Sequence, residues 1–476
     1  MKLTFDVSDK PKFGQLIVFA LQQMLAILAA TIAVPLIIGN GLTPAAAMFG
    51  AGAGTIVYIL FTKKKSPVFL GSSFAFLGSM AAAFAGGVSM QLGMLGLIIG
   101  AALAGLVYVI ISVVVKFVGV GWLNKIMPAV VIGPTVAIIG LSLAGNAIGD
   151  LMKGDVTQAV TGYAVSMESG SPEIVETASS VVVGSPYIAF ICGIVTLAVV
   201  MLCSTYGKKN LKLIPFVIGI ISGYAVAAVF TIIGNVCGID AFKIIDFSVF
   251  ESYMLKDGVI GLSTFLSIPD FAFLSGIKGF SEFDFSYFAT IFVAYVPVAM
   301  VVFAEHVADH KNLSSIIGHD LLEEPGLTRT LLGDGIGSVV GAIFGGCPNT
   351  TYGESVACVA ITGNASVITI FAAAIGCMLF SFVTPLVAFI DSIPACVMGG
   401  VCIALYGFIA VSGLKMIQQS NLEENRNLFV VSVILIAGIG GLTLTFGKIT
   451  LTEVAAALIL GILTNVMLSK KAKNKE

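Results

Sequence analysis

Apolar runs of about 17–25 residues recur from one end of the chain to the other, divided by short polar or glycine- and proline-bearing breaks. A helix of that length crosses the hydrocarbon core of a bilayer, about 30 Å thick. The pattern predicts spans at 13–38, 43–62, 67–86, 91–116, 126–146, 187–205 and 213–234, and then at 286–308, 329–346, 348–363, 364–390, 394–412, 427–446 and 450–468. Two hydrophilic stretches interrupt it. The first, 147–186, reads as loop; the second, 235–285, reads as a connection holding a short helix or interfacial segment. Neither is long enough for an enzyme domain.

The fourteen spans fall into two sets of seven. MPAVVIGPTVAIIGLSLA (127–144) aligns with IPACVMGGVCIALYGFIA (393–410) at a constant offset, sharing Pro128/Pro394, Ala129/Ala395, Val131/Val397, Gly133/Gly399 and Ala144/Ala410. These are the fifth spans of their sets. Seven is odd, so the halves are expected to sit inverted in the membrane, as in many secondary transporters. The fold class predicted is an all-α polytopic membrane protein of about fourteen transmembrane helices in two inverted seven-helix repeats.

Composition agrees. The 476 residues are 58% hydrophobic and 11% charged, with mean hydropathy +1.05, far from a soluble domain. With both termini cytoplasmic, nineteen of the 24 lysines and arginines lie inside, as the positive-inside rule requires. The first apolar run lacks a signal peptide's short core and cleavage site, so it is expected to stay in the mature chain. Net charge is −2, which offers no basic field for nucleic acid. The eight cysteines lack metal-site spacing and read as packing residues. No cofactor and no metal are expected.

Carboxyls at membrane depth cost at least about 2.5 kcal/mol each, so those present demand a reason. AYVPVAMVVFAEHVADH (294–310) ends an apolar run on Glu305, His306, Asp309 and His310. Glu305 and Asp309 share one helix face, and the histidines share a neighbouring one. The bland alternative is a helix end leaving the membrane into water; a sharper rival is a metal site on His306 and His310. GGCPNTTYGESVACVAITG (345–363) carries Pro348, an Asn-Thr-Thr run and Glu354 between apolar stretches, a composition that breaks a helix. Exposed backbone at that depth is tolerated where it lines a cavity. PVFLGSSFAFLGSM (67–80) is the matching interrupted segment of the first half, and paired interruptions point to a transporter's binding site. Phe74 and Tyr352 could stack on a flat ligand or simply pack. Carboxylates plus free backbone amides suit a neutral heterocycle with N–H and C=O edges.

The segments QQMLAILAATIAVP (22–35), GSSFAF (71–76), AEHVADH (304–310), EEPGLTRTLLGDG (323–335), PNTTYGE (348–354) and ALYG (404–407) resemble the nucleobase–ascorbate transporter family, also called nucleobase:cation symporter-2. The resemblance covers nearly the whole chain. It implies a core domain from 13–125 and 286–390, a gate domain from 126–234 and 391–468, an external loop at 235–285, and short strands inside discontinuous third and tenth helices. It implies import of a nucleobase by proton symport with alternating access, uracil being favoured and xanthine or another purine the alternative; sodium stays open as coupling ion. It assigns Glu305 and Glu354 to the base, Phe74, Ser73, Tyr352 and Gly353 to the pocket, Tyr406 to the facing gate wall, and Asp309 with Glu305 to the proton. Relatives that carry uracil commonly have His at the position of Asp309, whereas Glu354 favours a pyrimidine. A homodimer in the inner cell membrane, surrounded by lipid, is the implied assembly.

Overall fold

The structure, a computed structural model, describes residues 3–119, 128–166, 173–208, 211–255, 259–446 and 449–472. The domain boundary expected between 125 and 126, and Lys2, Lys125, Lys209, Lys256, Lys448, Lys473 and Lys475, lie outside them. Long apolar helices dominate. In order they are α1 (Phe13–Ile38), α2 (Pro44–Phe61), α3 (Leu77–Ala83), α4 (Met90–Val118), α5 (Ala129–Ser142), α6 (Ala144–Leu151), α7 (Pro186–Tyr206) and α8 (Pro215–Cys237). After short helices α9 (Ser248–Met254) and α10 (Ala272–Gly276) come α11 (Phe285–Ile317), α12 (Leu327–Gly345), α13 (Gly353–Thr362), α14 (Val367–Phe380), α15 (Thr384–Asp391), α16 (Ala395–Gln418), α17 (Asn425–Ile439) and α18 (Glu453–Ala472). Among the described residues nine helices are long and apolar enough to cross a membrane alone, and five further apolar helices are shorter.

Local chemistry sets the ends. Thr43, Ser89 and Asp284 each accept a backbone N–H from the first turn of α2, α4 and α11, and Pro44 occupies the first helical position of α2. Gly318, Gly346 and Gly363 take the left-handed conformation that closes α11, α12 and α13. The two spans expected to be interrupted are broken. The 67–86 span is strand β1 (Leu70–Ser72), a 3-10 turn at Phe74–Phe76 and α3; the 348–363 span is strand β4 (Asn349–Thr351) and α13. The 364–390 span also breaks, between α14 and α15.

Three expectations need correction. The 147–186 stretch is not loop: it holds the end of α6 and a long hairpin of β2 (Thr157–Ser166) and β3 (Glu173–Val182), paired from Thr157↔Val182 to Ser166↔Glu173. Its Val- and Thr-rich alternation is a strand signal. The span expected to end at 308 runs on as helix to Ile317, because His306, Asp309 and His310 are bonded to groups on other elements and do not mark a helix end leaving into water. The 427–446 span ends at Ile439, and a second small hairpin, β5 (Leu444–Phe446) with β6 (Ile449–Leu451), leads into α18.

By contacts the chain forms two units. One comprises Met1–Leu143, Leu262–Val387 and Leu405–Glu476; the other comprises Ala144–Gly261 and Ala388–Ala404. In the first, α2 and α12 touch backbone to backbone: a Cβ at Gly50 would lie 2.5 Å from the Gly341 carbonyl oxygen, and one at Gly337 would lie 2.8 Å from that of Gly54. In lipid the hydrophobic effect gives no drive between helices, so such close packing of small residues holds them. Residues 4–7 run beside the α13–α14 corner, with Thr4 N–H donating to the Gly363 carbonyl at 2.7 Å and Ala365 N–H to that of Phe5 at 2.9 Å. In the second unit, Thr231 Oγ1 on α8 accepts from both Ile244 and Ile245 N–H at 3.1 Å, and Asp155 Oδ1 accepts from Ala395 N–H at 3.1 Å.

The internal duplication is visible in the first unit. β1 and β4 pair antiparallel, and each strand is followed by a short helix, as inversion of one half against the other produces. The sequence offset of 266 reappears in the starts of α5 at Ala129 and α16 at Ala395.

Candidate functional site

The site is built on the crossing of β1 and β4. Their register is Leu70↔Thr351, Gly71↔Thr350 and Ser72↔Asn349, extended by Tyr352 N–H to the Phe69 carbonyl at 3.2 Å and Ser73 N–H to the Pro348 carbonyl at 2.9 Å. A pair this short needs outside support. The hydroxyl of Thr55 on α2 accepts from Leu70 N–H at 2.9 Å and faces its carbonyl at 3.2 Å. The hydroxyl of Ser355 accepts from Phe69 N–H at 3.2 Å and from the amide of Gln23 on α1. Asn349 inserts its side chain between α2 and α12, its Nδ2 donating to the Gly50 carbonyl at 3.1 Å; glycines at 54 and 341 leave the room it fills. The Tyr352 ring lies on Gly71, where a Cβ would strike it, and its hydroxyl donates to the Ser72 carbonyl at 2.9 Å.

The two short helices begin where the strands end. The first-turn N–H groups of a helix have no partner within it, and they carry the positive end of its dipole. Phe74 and Gly353 open these turns, and both lie in the wall of a cavity of about 60 Å³. Glu305 from α11 and Glu354 from the first turn of α13 complete its polar side, with Thr350 and Thr351; Val136 and Ile139 on α5 and Ile409 on α16 form its apolar side. Among the described residues no lysine, arginine or histidine lines it.

Of the residues singled out from the sequence, Glu305, Glu354, Gly353, Phe74 and Tyr352 thus meet in one wall. Asp309 stands one bond behind it, where its Oδ2 accepts from the Thr351 hydroxyl at 2.7 Å. Tyr406 is in edge contact with Phe74, ring centroids 5.8 Å apart. Ser73 is buried beside Phe74 but does not line the cavity. Tyr352 contributes an edge fixed by its bond to Ser72.

The histidines next to the two acids do something else. His306 and His310 are fully buried with rings 4.0 Å apart. His306 Nδ1 meets Asp334 Oδ2 on α12 at 2.7 Å, and its Nε2 meets Thr330 Oγ1 at 3.0 Å. His310 Nδ1 lies 2.7 Å from the His306 carbonyl, which can only accept, so that nitrogen carries the proton. In the neutral ring Nε2 then accepts from the Tyr58 hydroxyl at 2.6 Å, and Tyr58 accepts from Ser66 at 2.7 Å. All four ring nitrogens are taken, which leaves the metal reading without a ligand. Sequence reasoning missed Asp334 although a carboxyl inside the 329–346 span, within EEPGLTRTLLGDG, was a signal that could have found it; Tyr58, a tyrosine in an apolar run, carries no such signal. Thr350 and Asn349 were passed over as mere helix breakers.

A cavity at the meeting point of two interrupted helices, inside a polytopic bundle, is the arrangement of a membrane transporter. The solved structures agree on the fold. The transmembrane domain of the cyanobacterial bicarbonate transporter BicA superposes with TM-score 0.60 at 13% identity, covering 97% of this chain and 100% of that one. The anion transporter SLC26A9 gives 0.58 at 12%, covering 96% and 66%. Sequence goes further. The profile of the Permease family matches residues 14–185 and 169–446, and the chain belongs to that family. It is 35% identical to the uracil permease of Bacillus caldolyticus over 100% of this chain and 97% of that one. It is 35% identical to that of Bacillus subtilis over 98% and 95%, and 34% identical to that of Escherichia coli K12 over 96% and 92%.

Proposed function

We propose that the protein imports uracil by proton symport, with alternating access between the two sides of the inner cell membrane. The observation that carries this reading is the cavity itself. Two carboxyls, Glu305 and Glu354, line it together with Phe74 and Gly353, which open two short helices, and among the described residues no basic side chain does. Carboxylates accept ring N–H groups, and the backbone N–H groups of Phe74 and Gly353 donate to ring carbonyls. An anion, such as the cargo in the name of the bicarbonate transporter BicA, would meet two like charges there.

Glu354 takes the ring N–H edge and Glu305 the opposite side. Ser73 and Tyr352 hold the first and second interrupted segments in place, and Tyr406 backs Phe74 against the base. Asp309, bonded through Thr351 to the strand that leads to Glu354, carries the proton together with Glu305. The segments 13–125 and 286–390 act as a core carrying the site, and 126–234 and 391–468 as a gate against which it moves. Both termini face the cytoplasm, the 235–285 connection faces outward, and two copies pair through their gates. The names of the relatives support uracil. Asp309 supports a second reading, in which the same machinery carries xanthine or another purine.

Uptake of labelled uracil into proteoliposomes, with and without an inward proton gradient, tests the proposal. The expected outcome is accumulation that needs the gradient and is competed by unlabelled uracil more strongly than by xanthine. Stronger competition by xanthine moves the assignment to the purine. Accumulation driven only by sodium removes the proton.

A further inference from the structure

Asn349, Thr350 and Thr351 are consecutive on β4, and strand pleating turns the middle side chain away from the face its neighbours use. The flanking pair is committed to the protein, Asn349 to the Gly50 carbonyl and Thr351 to Asp309. Thr350 is only 3% exposed and lies in the cavity wall, and its hydroxyl has no hydrogen-bond partner among the described residues. Directly across the ladder is Gly71, which has no side chain to offer one. A buried hydroxyl without a partner is costly, and valine would fill the same strand position without that cost.

We infer that the Thr350 hydroxyl is a direct ligand contact that donates to a ring carbonyl of the bound base. The inference rests on the nucleobase reading and adds to it a residue that neither interrupted-helix amides nor carboxyls account for. Among the hydroxyls lining the cavity, that of Thr351 goes to Asp309 and that of Tyr352 goes to the Ser72 carbonyl. Thr350 is the lining hydroxyl left over. Ionised carboxylates serve only ring N–H groups, so a carbonyl on the ring needs donors, and among the described residues lining the cavity this is the side-chain hydroxyl left without a partner.

The test is calorimetric binding of uracil to the purified full chain, for wild type, Thr350→Val and Thr350→Ser. Valine keeps the volume and removes the hydroxyl; serine keeps the hydroxyl. The expected result is roughly tenfold weaker binding for Thr350→Val and a change within about threefold for Thr350→Ser. With 2-thiouracil and 4-thiouracil, whose sulfur accepts poorly, the valine-to-wild-type ratio should collapse toward one for the analogue altered at the contacted carbonyl. Equal uracil binding by Thr350→Val and wild type overturns the inference, since the hydroxyl then faces only water. Equal losses in the valine and serine variants overturn it too, since the role is then packing. Ligand-free melting checks that each variant folds, and Thr350→Ala replaces the valine if it does not. If wild type fails to bind uracil, the pyrimidine assignment falls, and the same ratio measured with xanthine still decides the role of Thr350. Binding of neither base removes both.

Discussion

Glu354 sits one residue inside α13, with its carboxyl in the cavity wall beside free backbone donors. Glu354→Gln keeps the shape and replaces one acceptor oxygen by a donor facing a ring N–H. Uracil affinity should fall by roughly ten- to a hundredfold, while a purine presenting an acceptor at that edge loses less. Calorimetry with uracil and then xanthine measures both, and unchanged uracil binding would take Glu354 out of the site. The buried His306–Asp334 pair makes a different prediction, about stability. Asp334→Ala leaves His306 Nδ1 without its partner inside the membrane, a cost of about 3 kcal/mol, and Asp334→Asn retains an acceptor and costs less. Melting of the purified variants in detergent should rank them in that order; an alanine variant that melts like wild type would show the bond to be idle. Glu305, Asp309, Glu354 and the aromatic pair were legible because charge in an apolar run and a proline-broken run are local signals. Asp334 gave the same local signal and was missed; the roles of Tyr58 and Thr350 were not legible, because Tyr58 acts through a partner 252 residues away and the Thr350 hydroxyl has no partner among the described residues.

Elements in this protein are placed by contacts at their ends and crossings more than by their own regularity. The β1–β4 pair is too short to stand alone, so Thr55, Ser355, Asn349 and Tyr352 fix it from four sides. Where α2 crosses α12, Gly337→Leu would drive a side chain into the Gly54 carbonyl, 2.8 Å from the first added carbon. It should lower the melting temperature and, by shifting Asn349, also weaken ligand binding; a variant with native melting would show that the helices have room to part. Outside the membrane-spanning helices, Asp155 accepts the Ala395 N–H at the start of α16. Burial pushes its carboxyl up from the ordinary 3.8 to about 6, against that bond and the Lys153 charge, which pull it down. The folded state therefore holds the proton more tightly than the unfolded one. Stability should fall as pH rises from about 4 through about 6, by about 3 kcal/mol in total, and level off above. Thermal unfolding between pH 4 and 7 reads this slope, and Asp155→Asn should flatten it. The β2–β3 hairpin was written in its Val and Thr alternation, yet polar composition alone made it read as loop.

At the scale of the whole molecule, topology and coupling are the testable properties. Both termini inside and the 147–186 and 235–285 connections outside predict that a cysteine at Val160, in a background without other reactive thiols, is labelled by impermeant reagents only from outside. Labelling from the cytoplasmic face alone would sink the arrangement. Asp309→Asn should impair gradient-driven accumulation far more than equilibrium exchange or binding, and normal concentrative uptake by that variant would move the proton elsewhere. What the sequence determined by itself was the membrane setting, the helix-rich architecture, the doubling of the chain and the two interrupted segments. Each of these follows from hydropathy, charge placement or a proline- and glycine-rich break, and all are properties of neighbours along the chain. What only the tertiary structure decided was which polar side chains are already spoken for. His306 and His310 ceased to be ligand candidates once Asp334, Thr330, Tyr58 and a carbonyl were found on their nitrogens, and Thr350 became one because nothing was found on its hydroxyl. In a bilayer interior, where water satisfies no polar group, that accounting of partners separates a structural residue from a binding one, and it exists only after distant helices have met.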